Sequence, residues 1–114
     1  MFKDRTRNFA LRVIQLVETL PRGRAADLLG RQLLRCSSSV GANYRAACRG
    51  KSTADVIAKL EIVEEEADES VYWMELLVDS GVLPAERVAA LKKEADELIA
   101  MTVASIKTLR SRRQ

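Results

Sequence analysis

Arg24, Arg31, Arg35, Arg45 and Arg49 form the most conspicuous chemical pattern in the chain. At about 100° per residue they fall within an arc of about 80° on one helix face, and at about 1.5 Å per residue they extend over about 40 Å. Guanidinium forks in such a row suit bidentate contacts to phosphate oxygens, which makes RNA or DNA a candidate partner. Arg5 and Arg7 near the start and Arg110, Arg112 and Arg113 near the end add to the same basic inventory. The row has further uses: a solvated face that pairs with acidic side chains of a neighbouring helix or subunit, or a contact for an acidic protein partner.

The run Glu64-Glu65-Glu66-Ala67-Asp68-Glu69 raises metal or acid/base chemistry, because carboxylates three or four residues apart share a helix face. The chain contains no His. That removes the Glu-x-x-His ligand sets of bundle metal sites, together with His-based acid/base work and Ser-His-Asp triads. Glu64 alone projects near an inner face, where Ser39 and Asn43 offer polar partners. Cys36 and Cys48 lie on one helix about 18 Å apart, too far to bridge, and read as reduced thiols. With no Gly-rich phosphate loop, CxxC pair or nucleophile elbow, the expectation is a non-enzymatic protein without metal or cofactor.

The elements that position these residues follow from composition. A chain of 114 residues fits one domain over residues 1–114. It is 47% hydrophobic, with five Gly, two Pro and 4% aromatics, too apolar for disorder and too turn-poor for an all-β fold. Its net charge of +3 conceals a strong segregation. Residues 1–50 carry ten Lys/Arg against three Asp/Glu, residues 51–102 five against thirteen, and the last twelve residues four against none. No apolar run approaches the roughly 18–20 residues of a membrane span and the N-terminus begins no signal peptide, so the expected compartment is the cytoplasm.

Hydrophobic periodicity predicts four amphipathic helices. The first, about Thr6 to Leu20, turns Phe9, Val13, Leu16, Val17 and Leu20 inward and stops at Pro21-Arg22-Gly23. The second, about Arg24 to Arg49, buries Leu29, Leu33, Cys36, Val40 and Ala47. Its Gly30, Ser37, Ser38, Ser39, Gly41 and Ala42 lower its helicity and allow a close neighbour, or else mark a hinge or cleft. The third starts at Ser52 or Thr53, runs to about Ser80, and buries Val56, Leu60, Val63, Ala67, Val71, Met74 and Val78. The fourth, about Ala85 to Arg110, buries Val88, Leu91, Ala95, Leu98, Ile99, Thr102, Ile106 and Leu109, and leaves a flexible basic tail over 110–114. Short turns between them imply an all-α, antiparallel up-down-up-down four-helix bundle.

On the third helix, Ile62, Glu66, Glu69, Trp73 and Leu76 project to a second face, nearly opposite the inner stripe. An apolar strip broken by carboxylates and centred on an aromatic residue fits an interface between copies of the chain.

Three stretches carry a family resemblance: Arg35-Cys36-Ser37-Ser38-Ser39-Val40-Gly41-Ala42-Asn43-Tyr44-Arg45, Glu65-Glu66-Ala67-Asp68-Glu69 and Tyr72-Trp73-Met74-Glu75-Leu76-Leu77. From about Thr6 to Leu109 the chain resembles the four-helix-bundle proteins encoded by intervening sequences of bacterial 23S ribosomal RNA genes. The resemblance implies an antiparallel bundle in a ring-like homopentamer, with no established enzymatic activity. That family is in turn similar in fold to the accessory protein of diversity-generating retroelements, a basic pentameric barrel that binds nucleic acid and works with a reverse transcriptase. Family members commonly carry a Glu three residues after the Asn matching Asn43; this chain has Ala46 there, leaving Ser39 and Asn43 as a smaller polar pair.

Overall fold

The computed structural model describes residues 1–113, with side chains through Arg112; the Arg113 side chain and Gln114, both assigned to the basic tail, lie outside the described residues. Four helices are present: α1 (Phe2–Glu18), α2 (Arg24–Ala47), α3 (Thr53–Asp79) and α4 (Ala89–Arg113), the last preceded by a 3-10 turn over Ala85–Arg87. They form a rod of 50 × 21 × 20 Å.

Each neighbouring pair runs antiparallel, as the residues that meet show. Gly30 approaches Val17 and Leu20 while Gly41 approaches Thr6, so α1 and α2 oppose one another. Cys36 meets Ser70 and Gly50 meets Val56 across α2 and α3. Glu61 pairs with Arg110 and Glu75 with Lys92 across α3 and α4. Arg5 reaches Glu94 and Glu97 while Thr19 accepts from Arg87, which closes α4 against α1.

The buried positions follow a three-four alternation: Thr6, Phe9, Val13 and Leu16 on α1; Ala26, Leu29, Leu33, Cys36 and Val40 on α2; Leu60, Val63, Ala67, Ser70, Met74 and Leu77 on α3; Leu91, Ala95, Leu98 and Thr102 on α4. That is the seven-residue repeat of helices that wrap gently about one another, with a mean period of 3.5 residues and not 3.6. The difference accounts for the misplaced positions on α3. A straight 3.6 projection puts Val56, Val71 and Val78 in the core, but they are only half-buried, and Ile57, Ser70 and Leu77 take the inner positions. Val17, Leu20, Ile99 and Leu109 are likewise half-buried flanks.

Two helix starts differ from expectation. α1 begins at Phe2, four residues early, because the Phe2 ring packs on Tyr44 with centroids 4.4 Å apart and Arg5 is clasped to α4. The fourth helix opens with the 3-10 turn after Pro84, which places Val88 in the core before α4 proper begins at Ala89. At its other end α4 continues past Arg110 to Arg113. The start of α3 is the expected one: Ser52 Oγ accepts from Asp55 N at 3.1 Å, and Asp55 Oδ2 accepts from Lys51 N at 3.1 Å.

Two glycines close the turns for different reasons. Gly81 sits at φ 83°, a left-handed conformation that lets Val82 N–H reach back to Leu77 O after α3. Gly50 is favoured by proximity, since a Cβ there would overlap Val56 Cγ2.

Candidate nucleic-acid interface

The arginines of α2 divide into two kinds. Arg35 turns toward α3, donates to Gln32 Oε1 at 3.1 Å, lies 3.4 Å from Glu66 Oε2 and makes a close ion pair with Glu69. Partial desolvation opposes its charge, but Glu69 and Glu66 outweigh that and hold the guanidinium above its ordinary pKa. Arg24, Arg31, Arg45 and Arg49 are exposed, and among the described residues none has a carboxylate within ion-pair distance.

The remaining basic residues sort in the same way. Arg5 is held on α4 by Glu94 at 2.6 Å and Glu97 at 2.9 Å, with Met101 Sδ 3.1 Å from its Nη1. These hydrogen bonds raise its pKa further above an already permanent charge. Arg110 pairs with Glu61 at 2.7 Å. Arg7 and Arg112 are exposed without a carboxylate partner among the described residues. The Arg113 side chain lies outside the described residues.

Two surface grooves between α1 and α2 show where the unpaired cations gather. One, of about 310 Å³, is lined by Lys3, Arg7 and Arg45 with Asp4, over a floor of Thr6, Ala10, Ser38, Gly41 and Ala42. The other, of about 290 Å³ at the opposite end, is lined by Arg22 and Arg31 with Asp27 beside Val17, Leu20, Gly30 and Leu34. Gly30 and Gly41 thus form the packing surface for α1, Ser38 and Ala42 stay exposed in the groove, and the cations stand along its rim. Lys3 and Arg22 were missed as members, since they belong to a different helix and a turn. The near antiparallel pairing of the two helices is the signal that would have found them.

The strip on α3 is placed differently from the projection. Glu66, Glu69 and Trp73 lie along the α2–α3 seam, Leu76 packs on the core, and Ile62 is exposed. Trp73 and Leu76 are half-buried and pack on the core, and the Trp73 indole N–H donates to Glu69 Oε2 at 3.0 Å. Ile62 is 36% exposed, and Met1, Leu11, Ile14, Leu28 and Tyr72 are more open, Tyr72 at 53% being the one on α3. The error comes from centring the inner stripe on Val56, Val71 and Val78. The carboxylates of the strip are engaged by Arg35 of the same chain.

The polar cluster does not assemble. Asn43 Nδ2 donates to the Ser39 carbonyl at 2.9 Å within α2, and no hydrogen bond among the described residues joins either to half-buried Glu64. The inner-facing hydroxyls behave alike: Ser70 donates to Glu66 O at 2.8 Å and packs 3.3 Å from Cys36 Sγ. Cys36 is buried, which pushes its thiol pKa up against a smaller lowering by Ser70, and Cys48 is exposed. Among the described residues no three His, Cys, Asp or Glu side chains converge as they would around a metal ion. No helix of the described residues is long and apolar enough to cross a membrane.

Among known proteins, the profile of the 23S rRNA-intervening sequence protein family matches residues 2–104. A crystal structure of a protein of unknown function from the S23 ribosomal protein family of Bacteroides thetaiotaomicron superposes with a TM-score of 0.85. That protein is 30% identical, and the alignment covers 94% of this chain and 99% of the other. No curated protein matches the sequence. A match over nearly the whole bundle, joined to the same fold in a relative, means that this chain belongs to the 23S rRNA-intervening sequence protein family.

Proposed function

We propose that the protein is a non-enzymatic, homo-oligomeric bundle that binds nucleic acid through the α1–α2 face. The observation that supports this reading is the gathering of unpaired cations along the α1–α2 grooves, Lys3, Arg7 and Arg45 at one and Arg22 and Arg31 at the other, with exposed Arg49 and Arg24 at the two ends of α2. Phosphate is the ligand whose charge and geometry such guanidinium groups fit. Repetition of the face in an oligomer, a pentamer by family likeness, multiplies weak contacts through avidity. A compartment shared with nucleic acid, the cytoplasm, is part of the same reading.

Filter binding at low salt tests it. Wild type retains RNA or DNA, retention falls steeply as salt rises, and Arg31→Ala with Arg45→Ala weakens it without lowering the unfolding midpoint. Unchanged affinity in that double variant overturns the site.

The pairing of Arg35 with Glu66 and Glu69 favours a second reading for part of the row, in which arginines serve structure or protein interaction. The engaged carboxylates belong to the same chain, so the reading of pairs across subunits has less acid to draw on. Self-association is then assigned to the apolar residues left open beside the seam. Ile62→Glu with Tyr72→Glu is expected to yield smaller species by light scattering, and a wild type already monomeric refutes it.

A further inference from the structure

We infer that the α1–α2 face takes the paired phosphate backbones of a double-stranded nucleic acid, straddling one groove, without reading base sequence; this rests on the nucleic-acid reading above. Three observations carry it.

The first is the gap in the row. With Arg35 drawn away to α3, the α2 cations separate into Arg24 and Arg31 at one end and Arg45 and Arg49 at the other. The rise from Arg31 to Arg45 is about 21 Å at about 1.5 Å per residue. Between them the outer face of α2 presents Ser38 and Ala42, exposed and short. A single strand following the helix would leave several successive phosphates without a cation. Two duplex backbones flanking a major groove about 12 Å wide instead fall within reach of long side chains at the two ends.

The second is the placement of the aromatic residues. Non-specific binders of single strands stack bases on exposed rings. This chain has five aromatic residues, and none stands on the α1–α2 face. Phe9 is in the core, Phe2 and Tyr44 pack on each other against the core, Trp73 lies on the α2–α3 seam, and Tyr72 projects from α3.

The third is the absence of free amides on α2. Gln32 accepts from Arg35 and Asn43 donates to the Ser39 carbonyl, so the side chains suited to adenine edges are held in the chain. The charged groups that line the two grooves are cations suited to phosphate, offset by one acid at each end, Asp4 and Asp27.

The test is fluorescence anisotropy of the full chain with a 20-base-pair DNA duplex, the matching RNA duplex and each 20-nucleotide single strand, across a salt series. At least one duplex is expected to bind about fivefold or more tightly than its own single strands, with little change when the sequence is scrambled. The two duplex arms show whether B-form or A-form backbones fit the spacing. Arg31→Ala with Arg45→Ala is expected to reduce the slope of log affinity against log salt by about 2. Single strands bound as tightly as duplexes, or a strong dependence on sequence, overturns the inference and leaves the nucleic-acid reading standing. No binding by any of the four probes at low salt overturns both.

Discussion

The Trp73 indole donates its N–H to the same Glu69 oxygen that Arg35 engages, so one carboxylate ties an aromatic side chain of α3 to a cation of α2. Trp73→Phe keeps the ring against the core and removes this donor. It is expected to lower stability by about 1 kcal/mol, read as a shift in the urea midpoint with an unchanged slope. A variant as stable as wild type would show that the indole hydrogen bond to Glu69 contributes nothing.

The glycines of α2 separate by the space around them. At Gly41 an added Cβ lies 3.6 Å from Thr6 atoms, an ordinary contact, so Gly41→Ala is expected to stabilise by up to about 1 kcal/mol through helix propensity. At Gly30 the same atom lies 3.0 Å from Leu20 Cδ1 and 3.2 Å from Val17 Cγ1, and Gly30→Ala gains less. In the turn, Gly50→Ala is expected to destabilise by about 1–3 kcal/mol, because Val56 Cγ2 must move. Thermal melts of the three variants check the order.

Cysteine reactivity should be unequal. One thiol, Cys48, is expected to be alkylated in the native protein, with Cys36 following only on unfolding; peptide mapping by mass reads this directly. Since burial raises the Cys36 pKa, the folded chain keeps a proton that the unfolded chain releases above roughly pH 8.5. Its contribution to stability is therefore present at neutral pH and is lost as pH climbs toward the raised folded value. The stability gap between wild type and Cys36→Ala is expected to narrow as pH rises above roughly 8.5, the unfolded thiol value.

Arg5 holds the first turns of α1 to α4. Arg5→Met retains the apolar stem but leaves Glu94, whose side chain is 18% exposed, without its cation. Amide exchange over the first turns of α1 is expected to speed up, while amides of α3 around Val63 to Met74 keep their protection. Uniform loss across all four helices would mean that the clasp supports the whole bundle.

Most of the fold was legible in the residues. Pro21-Arg22-Gly23, Gly50-Lys51-Ser52 and Gly81 to Pro84 mark the turns, and the apolar stripes of α1 and α2 need only the right period. The α3 stripe was harder because Val56, Val71 and Val78 compete with Ile57, Ser70 and Leu77 for the inner face, and only mutual wrapping of the helices decides between them. That error carried over to Trp73, placed on an open face when it lies on a seam. The fate of Arg35 was less accessible still. Whether a long side chain turns to solvent or to Glu69 depends on the register of α2 against α3, which no single-helix projection contains.

The four seams of the bundle are closed by different means. Arg5 bridges α1 to α4, Arg35 bridges α2 to α3, and Lys92 and Arg110 bridge α3 to α4. Among the described residues no ion pair crosses from α1 to α2, where Gly30 and Gly41 bring the helices together. The inward hydroxyls of Thr6 and Thr102 bond carbonyls of their own helices, while Ser70 bonds both its own helix and Cys36 Sγ of α2. Charged pairs therefore key three seams, while the fourth is keyed by small residues and by the Phe2 ring on Tyr44. Closure by size consumes no cations, which is why the seam built from glycine is the one whose arginines are left over for something outside the chain.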